Sequence, residues 1–482
     1  MNQYKDVKNK ILNQLYNIIS TYSFIKSATI VGSFIKSKSI EAISDIDIVI
    51  IVDELNKKKF DELILGFKKF NTTKVGLSNY ILKINKTFGP LKLNTSNNIV
   101  FHIMIYDIQG HINHVQKSPF TCLSWENYKP IYGDSIKNIY PVLNVNINDI
   151  INTRRGLLKY LEDIRCGVIS YSEYTFKNNS PLLIKKRFQL NDNQKKEYGY
   201  HITHYLLLNI YKIFTNSNNE ISQDDLISFF NKIDNNLYKE LKIYSRLSKW
   251  KLEKKEFEGD VFIEIESFIN NIFNSLKTIK DSSINISLYR HQKTLLNDGS
   301  FLGVSRDPEI ILSKNIIINK SYDVGFSSKL KRSKQTLDLF DCKSRYESSL
   351  INEIDYGLAE GLSYNDLKNN FPEIIESWNR KEDPSFPSGE CQLDVLARIQ
   401  LFFNTEINNN IKSNNVKNII VVTHLVVLRM IISKYIDIKL HNLFKINIKN
   451  LDHFKILVFK DYFMINLNKQ MRKKLRKIEA NV

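Results

Sequence analysis

The residues best suited to covalent chemistry lie in Leu288-Tyr-Arg-His-Gln-Lys-Thr-Leu-Leu-Asn297, where an Arg-His pair closes an apolar stretch. A neutral imidazole can attack phosphorus and become a phosphohistidine. It must be held in one tautomer, beside cations that accept the three equatorial oxygens. His291 suits that nucleophile. Guanidinium forks match phosphate bidentately and keep their charge, as a highly anionic transition state requires. Arg290 can supply one fork and Arg332, at the end of Ser327-Ser-Lys-Leu-Lys-Arg332, another. His424 ends the apolar run Asn418-Ile-Ile-Val-Val-Thr-His424 and can donate to the same oxygens if the two strand ends converge.

A second constellation lies near the N-terminus. Ala28-Thr-Ile-Val31 runs into Gly32-Ser33-Phe34 and, a short helix later, into Ser44-Asp-Ile-Asp-Ile-Val-Ile50. Strand alternation places Asp45 and Asp47 on one face. Two carboxylates so placed can hold Mg²⁺ or Mn²⁺ against the phosphates of a nucleoside triphosphate, while the turn at Gly32 and Ser33 offers backbone amides to those phosphates. The alternative for the two acids is a solvated strand end or turn.

Five pieces in order, the Arg290-His291 stretch, Ser327–Arg332, Glu353-Ile-Asp-Tyr-Gly357, Pro387-Ser-Gly-Glu390 and Val421-Val-Thr-His424, together resemble the histidine phosphatase (phosphoglycerate mutase-like) superfamily. The resemblance implies that Glu353 is the acid that protonates the leaving alkoxide. It also implies that Asn297 and Glu390 contact substrate, with Asp394 and Arg398 completing the downstream pattern. Gln292 stands where that superfamily has a glycine after its nucleophile. The Gly-Ser, spacer, Asp-x-Asp arrangement is similar to the polymerase β-type nucleotidyltransferase superfamily, over roughly the first third of the chain. That likeness implies a third carboxylate on a later strand, and the strand Asn98-Ile-Val-Phe-His-Ile-Met-Ile-Tyr-Asp107 carries His102 in its place, with Asp107 facing the other way. His102 is then a general base, a metal ligand or a packed core residue.

These groups need elements to position them. The 482 residues exceed what one hydrophobic core supports, and 43% hydrophobic content suffices for several. The expected fold is multidomain: an α+β nucleotidyltransferase core over 1–147, an all-α middle segment over 148–280, an α/β three-layer histidine phosphatase domain with a mainly parallel sheet over 281–470, and a basic tail over 471–482. Ile151 to Ile164 and Tyr198 to Phe214 carry the clearest helical spacing in the middle segment. His201 and His204, one turn apart, are either a ligand pair or part of a packing face. The run Lys469-Gln-Met-Arg-Lys-Lys-Leu-Arg-Lys477 reads as a frayed terminal helix.

Cys122, Cys166, Cys342 and Cys391 are scattered without paired spacing, which indicates neither a zinc cluster nor a disulfide framework and fits a cytoplasmic setting. No apolar run is long enough to span a bilayer. A net charge of +18 suits anionic partners. Lys, Asn and Ile abound throughout, so compositional bias is favoured over a nucleic-acid groove. The expectation is a bifunctional enzyme that transfers a nucleotidyl group from a nucleoside triphosphate and hydrolyses a phosphorylated small molecule or polymer end, the phosphatase needing no cofactor. The rivals are a catalytically silent nucleotide sensor regulating the phosphatase, and a processor of nucleic-acid ends.

Overall fold

Runs dense in isoleucine and valine form the central strands of two sheets, and sheet order decides which polar residues reach a cleft. The computed structural model describes residues 2–36, 45–90, 98–253, 255–311, 320–413 and 415–480. The chain divides into two units: Met1–Lys212 with Asn218–Ser275 and Ala480–Val482, and Ile213–Ser217 with Leu276–Glu479. Among the described residues no helix is long and apolar enough to cross a membrane.

The first unit holds strands β1 (Ile25–Val31), β2 (Ile46–Val52), β3 (Ile81–Asn85), β4 (Asn98–Asp107) and β5 (Pro130–Gly133) in the order β3-β4-β2-β1-β5. β2 runs parallel to β4 and antiparallel to β1. Every residue of β2 except Asp47 is buried, the pattern of a strand covered on both faces. The helix Asn2–Ile19 buries Val7, Ile11, Leu15 and Ile19, one per turn, in the same core as Ile48, Ile50, Phe101 and Ile103.

The middle of the chain is not all-α. β6 (Val168–Lys177) and β7 (Ser180–Gln189) form an antiparallel hairpin joined by Asn178 and Asn179, with φ of 48° and 65°. Two left-handed asparagines make the tight turn whose twist suits paired strands, and the β-branched and aromatic residues of Val168–Phe176 favour a pleated surface. The helical stretch expected from Ile151 to Ile164 is two helices, Ile147–Asn152 and Leu157–Arg165. They are broken where Arg155 takes φ 56° and where any side chain at Gly156 would meet Ile150 O at 2.6 Å. Tyr198 to Phe214 lies within one helix, Asp192–Thr215.

The second unit holds β8 (Ile284–Arg290), β9 (Ser321–Ser328), β10 (Asp341–Ser348), β11 (Asn418–Thr423), β12 (His453–Phe459) and β13 (Tyr462–Asn466) in the order β10-β9-β11-β8-β12-β13. β8 to β11 are mutually parallel where they pair, and the last two strands are antiparallel, so the sheet is mainly parallel as expected. Helices follow β9 (Lys331–Leu337) and β11 (Leu425–Tyr435), and the register pairs Thr423 with Arg290 and Val422 with Ser327. Three strands therefore end side by side at their carboxyl ends, where open α/β sheets bind ligands. The basic run is a docked helix, Lys469–Glu479, rather than a frayed one. Its Leu475 is buried, and Glu479 accepts from Lys439 N and from Asn442 Nδ2.

Candidate functional site

His291 and His424 are each the first residue beyond a paired strand end, and the His291 amide donates to Thr423 O at 2.9 Å. Their rings lie 5.1 Å apart between centroids, tilted by 54°. Both are buried. His291 Nδ1–H donates to Gln292 O at 2.7 Å, which leaves the Nε2 lone pair as the ring's nucleophilic edge. Burial, aided by the charges of Arg332 and Arg290, pushes the imidazole down to about 3, so it is neutral at pH 7. His424 is driven the same way by burial and by Arg332.

The two arginines are held from behind by carbonyl groups. Arg290 Nη1 donates to Ile448 O at 2.7 Å, and Arg332 Nη2 donates to Gly303 O at 2.7 Å. Arg332 Nη1 reaches Arg306 O at 3.1 Å and Asp307 at 3.4 Å. The Nε groups of both arginines, Nδ1 of His424 and Oγ1 of Thr294 are buried with no hydrogen-bond partner. A buried unpaired donor costs about 1–3 kcal/mol, and those of Arg290, Arg332 and His424 lie beside His291, where an acceptor would complete them. A phosphoryl group, with several acceptor oxygens and negative charge, has that chemistry.

Glu353 follows β10 and lies against the N-terminus of the helix Leu425–Tyr435, accepting from Leu425 N at 3.1 Å and Val426 N at 3.2 Å. Burial raises its carboxyl group while Arg332 and Arg290 oppose the shift. An incoming phosphate dianion would raise it further. Its loop is clamped from outside. Arg398 donates to Leu350 O, Asn352 O and Glu353 O, and grips both oxygens of Glu390. Glu390 also accepts from Asp355 N at 3.0 Å and so braces the loop that carries Glu353. Gly389 allows that approach, since a Cβ there would lie 2.4 Å from Asp355 O. Asn297 Oδ1 accepts from Thr294 N at 2.9 Å, closing the turn after His291. Gln292 turns its amide to Thr336 Oγ1 and its side chain to Lys293 N.

In the first unit, Asp45, Asp47 and His102 each bring one ligand atom to within 4.8 Å of the others. Asp47 and His102 are register partners on neighbouring strands. Gly32 takes φ 81°, and a Cβ there would stand 2.8 Å from Asp47 Oδ2, so the turn before Ser33 needs a glycine to admit the carboxylate. Gly32, Ser33, Asp45, Asp47 and His102 line a cavity of about 490 Å³. His102 Nδ1 lies 2.7 Å from Asp47 Oδ1, and Nε2 lies 2.8 Å from Thr87 O. Burial pushes the ring down, but the hydrogen bond and charge of Asp47, with the charge of Asp45, hold it above its usual range. Both ring nitrogens face acceptors, so the His102 ring braces the Asp47 carboxylate. Asp107 caps the following helix by accepting from Gly110 N at 2.6 Å and is no third ligand. His204 Nδ1 meets Tyr244 OH at 2.9 Å and His201 packs among Tyr160, Tyr198 and Tyr205, while both rings also line the cavity of Asp45 and Asp47.

Sequence reasoning missed Thr294 and Ser328. Thr294, three residues beyond the nucleophile, had a signal in its spacing, whereas Ser328 is significant only through the register of β9 against β11.

Residues 316–467 match the histidine phosphatase superfamily (branch 1). That span contains Arg332, Glu353 and His424, while Arg290 and His291 precede it and join it through the β8–β11 pairing. The 2,3-bisphosphoglycerate-dependent phosphoglycerate mutase of Azorhizobium caulinodans is 33% identical over 94 residues, 18% of this chain and 46% of that protein. The corresponding mutase of Afipia carboxidovorans is 34% identical over 94 residues, 18% of this chain and 45% of its own. The chain thus spans under half the length of these curated relatives. Among solved structures, the alpha-ribazole phosphatase of Shigella flexneri is 18% identical, covering 41% of this chain and 99% of that one, with a TM-score of 0.32. A mycobacterial glucosyl-3-phosphoglycerate phosphatase is 15% identical, covering 39% and 97%, also at 0.32.

Proposed function

We propose that this chain hydrolyses phosphomonoesters through a phosphohistidine on His291, a reading supported by the match of residues 316–467 to the histidine phosphatase superfamily. The observation that carries this reading is the set of buried donors without partners on Arg290, Arg332 and His424, gathered around a neutral imidazole whose Nδ1 is already bonded. His291 Nε2 attacks phosphorus as the ester oxygen departs, and Glu353 gives that oxygen its proton. Water then attacks the phosphohistidine, Glu353 takes the water's proton, and inorganic phosphate leaves with His291 restored. Arg290 and Arg332 accept the equatorial oxygens in both steps, with His424 as a further donor. The substrate is a phosphorylated small molecule or polymer end. Hydrolysis of p-nitrophenyl phosphate by the wild-type protein, abolished in His291→Ala, supports the assignment. Full activity in that variant overturns it.

A second activity in the N-terminal unit is favoured by the approach of Asp45, Asp47 and His102 beside the Gly32 turn. Asp45 and Asp47 are suited to hold Mg²⁺ or Mn²⁺, which supplies Lewis-acid stabilisation to a triphosphate when bound. The backbone at Gly32 and Ser33 receives the phosphates, and His102 fixes the Asp47 carboxylate. The reading is metal-dependent nucleotidyl transfer. Incubation with labelled nucleoside triphosphates and Mg²⁺ tests it: label on an acceptor supports transfer, and tight binding without turnover supports the silent sensor. Modification of nucleic-acid ends would favour the third reading.

A further inference from the structure

The second histidine of the phosphatase site has a partner that neither the motifs nor the matched family region assigns. His424 and Ser328 are both fully buried, and His424 Nε2 lies 2.7 Å from Ser328 Oγ. The same hydroxyl accepts from Leu330 N at 3.2 Å. Ser333 holds the serine from the other side, accepting from Ser328 N at 3.0 Å and donating its own hydroxyl to Val422 O at 2.7 Å. Ser328 closes β9, and His424 follows β11, so the sheet register fixes the spacing between them.

A hydroxyl has one proton. With Leu330 N–H occupying a lone pair of Oγ, that proton has Nε2 of the neutral imidazole as its acceptor. The ring's own hydrogen must then reside on Nδ1, the nitrogen that is buried without a partner. The reverse tautomer would leave the serine proton without an acceptor, since the hydroxyl's other neighbour, Leu330 N, is itself a donor. We propose that Ser328 is a positioning residue, locking His424 in the Nδ1–H tautomer so that its N–H is aimed at the phosphoryl oxygens before substrate arrives. This deepens the phosphatase reading and rests on it for its catalytic meaning.

The preorganisation matters because a donor already in place at the transition state needs no reorientation as charge develops. Without the hydroxyl the ring is free to carry its hydrogen on Nε2, and only the fraction in the correct tautomer assists. A lost hydrogen bond of ordinary strength corresponds to about a tenfold change in that equilibrium.

The test uses the full chain labelled with ¹⁵N-histidine, with the His424 resonances assigned by His424→Gln. Without substrate, the wild-type spectrum is expected to show a protonated Nδ1 and an unprotonated Nε2. Ser328→Ala should give a mixed or inverted pattern with kcat toward p-nitrophenyl phosphate reduced about tenfold at little change in KM, and Ser328→Thr should restore both. A wild-type His424 protonated on Nε2 overturns the proposal, whether or not Ser328→Ala folds. So does an alanine variant with the tautomer and kcat of wild type. Absence of phosphatase activity in every form would instead refute the phosphatase reading and leave the tautomer assignment standing on its spectrum.

Discussion

Replacing Arg398 with alanine isolates the support of the acid from the acid itself. The guanidinium makes five contacts: 2.9 and 3.1 Å to the two oxygens of Glu390, and 2.9, 2.7 and 3.1 Å to the carbonyls of Leu350, Asn352 and Glu353. The side chains of Arg398 and Glu390 are 14% and 27% exposed, so the pair is mostly but not wholly withdrawn from water. Breaking a fully buried pair by removing one partner costs about 3–5 kcal/mol, and water at the rim reduces this to roughly 2–3 kcal/mol here. For a unit of this size that corresponds to a fall in Tm of about 5–10 °C. The loop that carries Glu353 loses three carbonyl anchors at once, so kcat should fall by about 10- to 100-fold, as removal of general-acid assistance does. Arg398→Lys keeps the charge without the fork and should lie between. Calorimetric melting with steady-state hydrolysis of p-nitrophenyl phosphate reads both effects. An Arg398→Ala protein that melts and turns over like wild type refutes the claim that this clamp holds the acid.

Other perturbations separate the two units and test the unpaired donors. Asp47→Asn should abolish Mg²⁺-dependent nucleotide chemistry and weaken metal binding measured by titration calorimetry, while p-nitrophenyl phosphate hydrolysis stays within twofold of wild type, since the phosphatase groups belong to the other unit. Thr294→Val removes a buried hydroxyl that has no partner in the free protein, so the melt should be unchanged or raised by up to about 1 kcal/mol, while affinity for orthovanadate falls; lower stability with unchanged vanadate binding would show that the hydroxyl is a packing group. Folded His291, His111 and His204 are held below 6.5, at about 3, 4 and 4, by burial first of all. Their neutral forms contribute stability above the unfolded value near 6.5, and that contribution declines as pH falls from 6.5 toward the folded values, because the unfolded chain binds protons that the folded one refuses. His102, held high by Asp47, acts in the opposite sense and loses its contribution as pH rises. Urea titrations between pH 7 and 4.5 should show a steady fall in unfolding free energy, and a flat profile would contradict the neutral buried rings.

The chemistry-bearing residues were legible where a motif couples residue type to a strand end. Arg290, His291 and His424 follow apolar runs whose composition determines that they are strands, and parallel register then does the rest. Asp45 and Asp47 instead open an apolar run, at the start of β2. Glu390 was placed at the substrate by likeness, yet its carboxylate is satisfied by Arg398 and Asp355 N, a relation that depends on how one loop folds back on another. His102 showed its position but not its role, because its charge state depends on Thr87 O and Asp47 arriving at opposite ring edges. The hairpin at Val168–Gln189 is not legible as strands because β7 is largely exposed and its residues do not alternate, so the pairing depends on the Asn178-Asn179 turn. Burial of Leu475 and capture of Glu479 by Lys439 N and Asn442 made the basic terminus a docked helix, tertiary contacts that local charge cannot announce.

Covalent trapping tests the central claim most directly. The protein is mixed with a phosphomonoester, quenched in alkali to preserve a phosphoramidate, digested and mapped by mass spectrometry. The account predicts one phosphoryl group on the His291 imidazole, absent from His291→Ala. Rapid turnover with no phosphohistidine, or with the phosphoryl group on another residue, would contradict it.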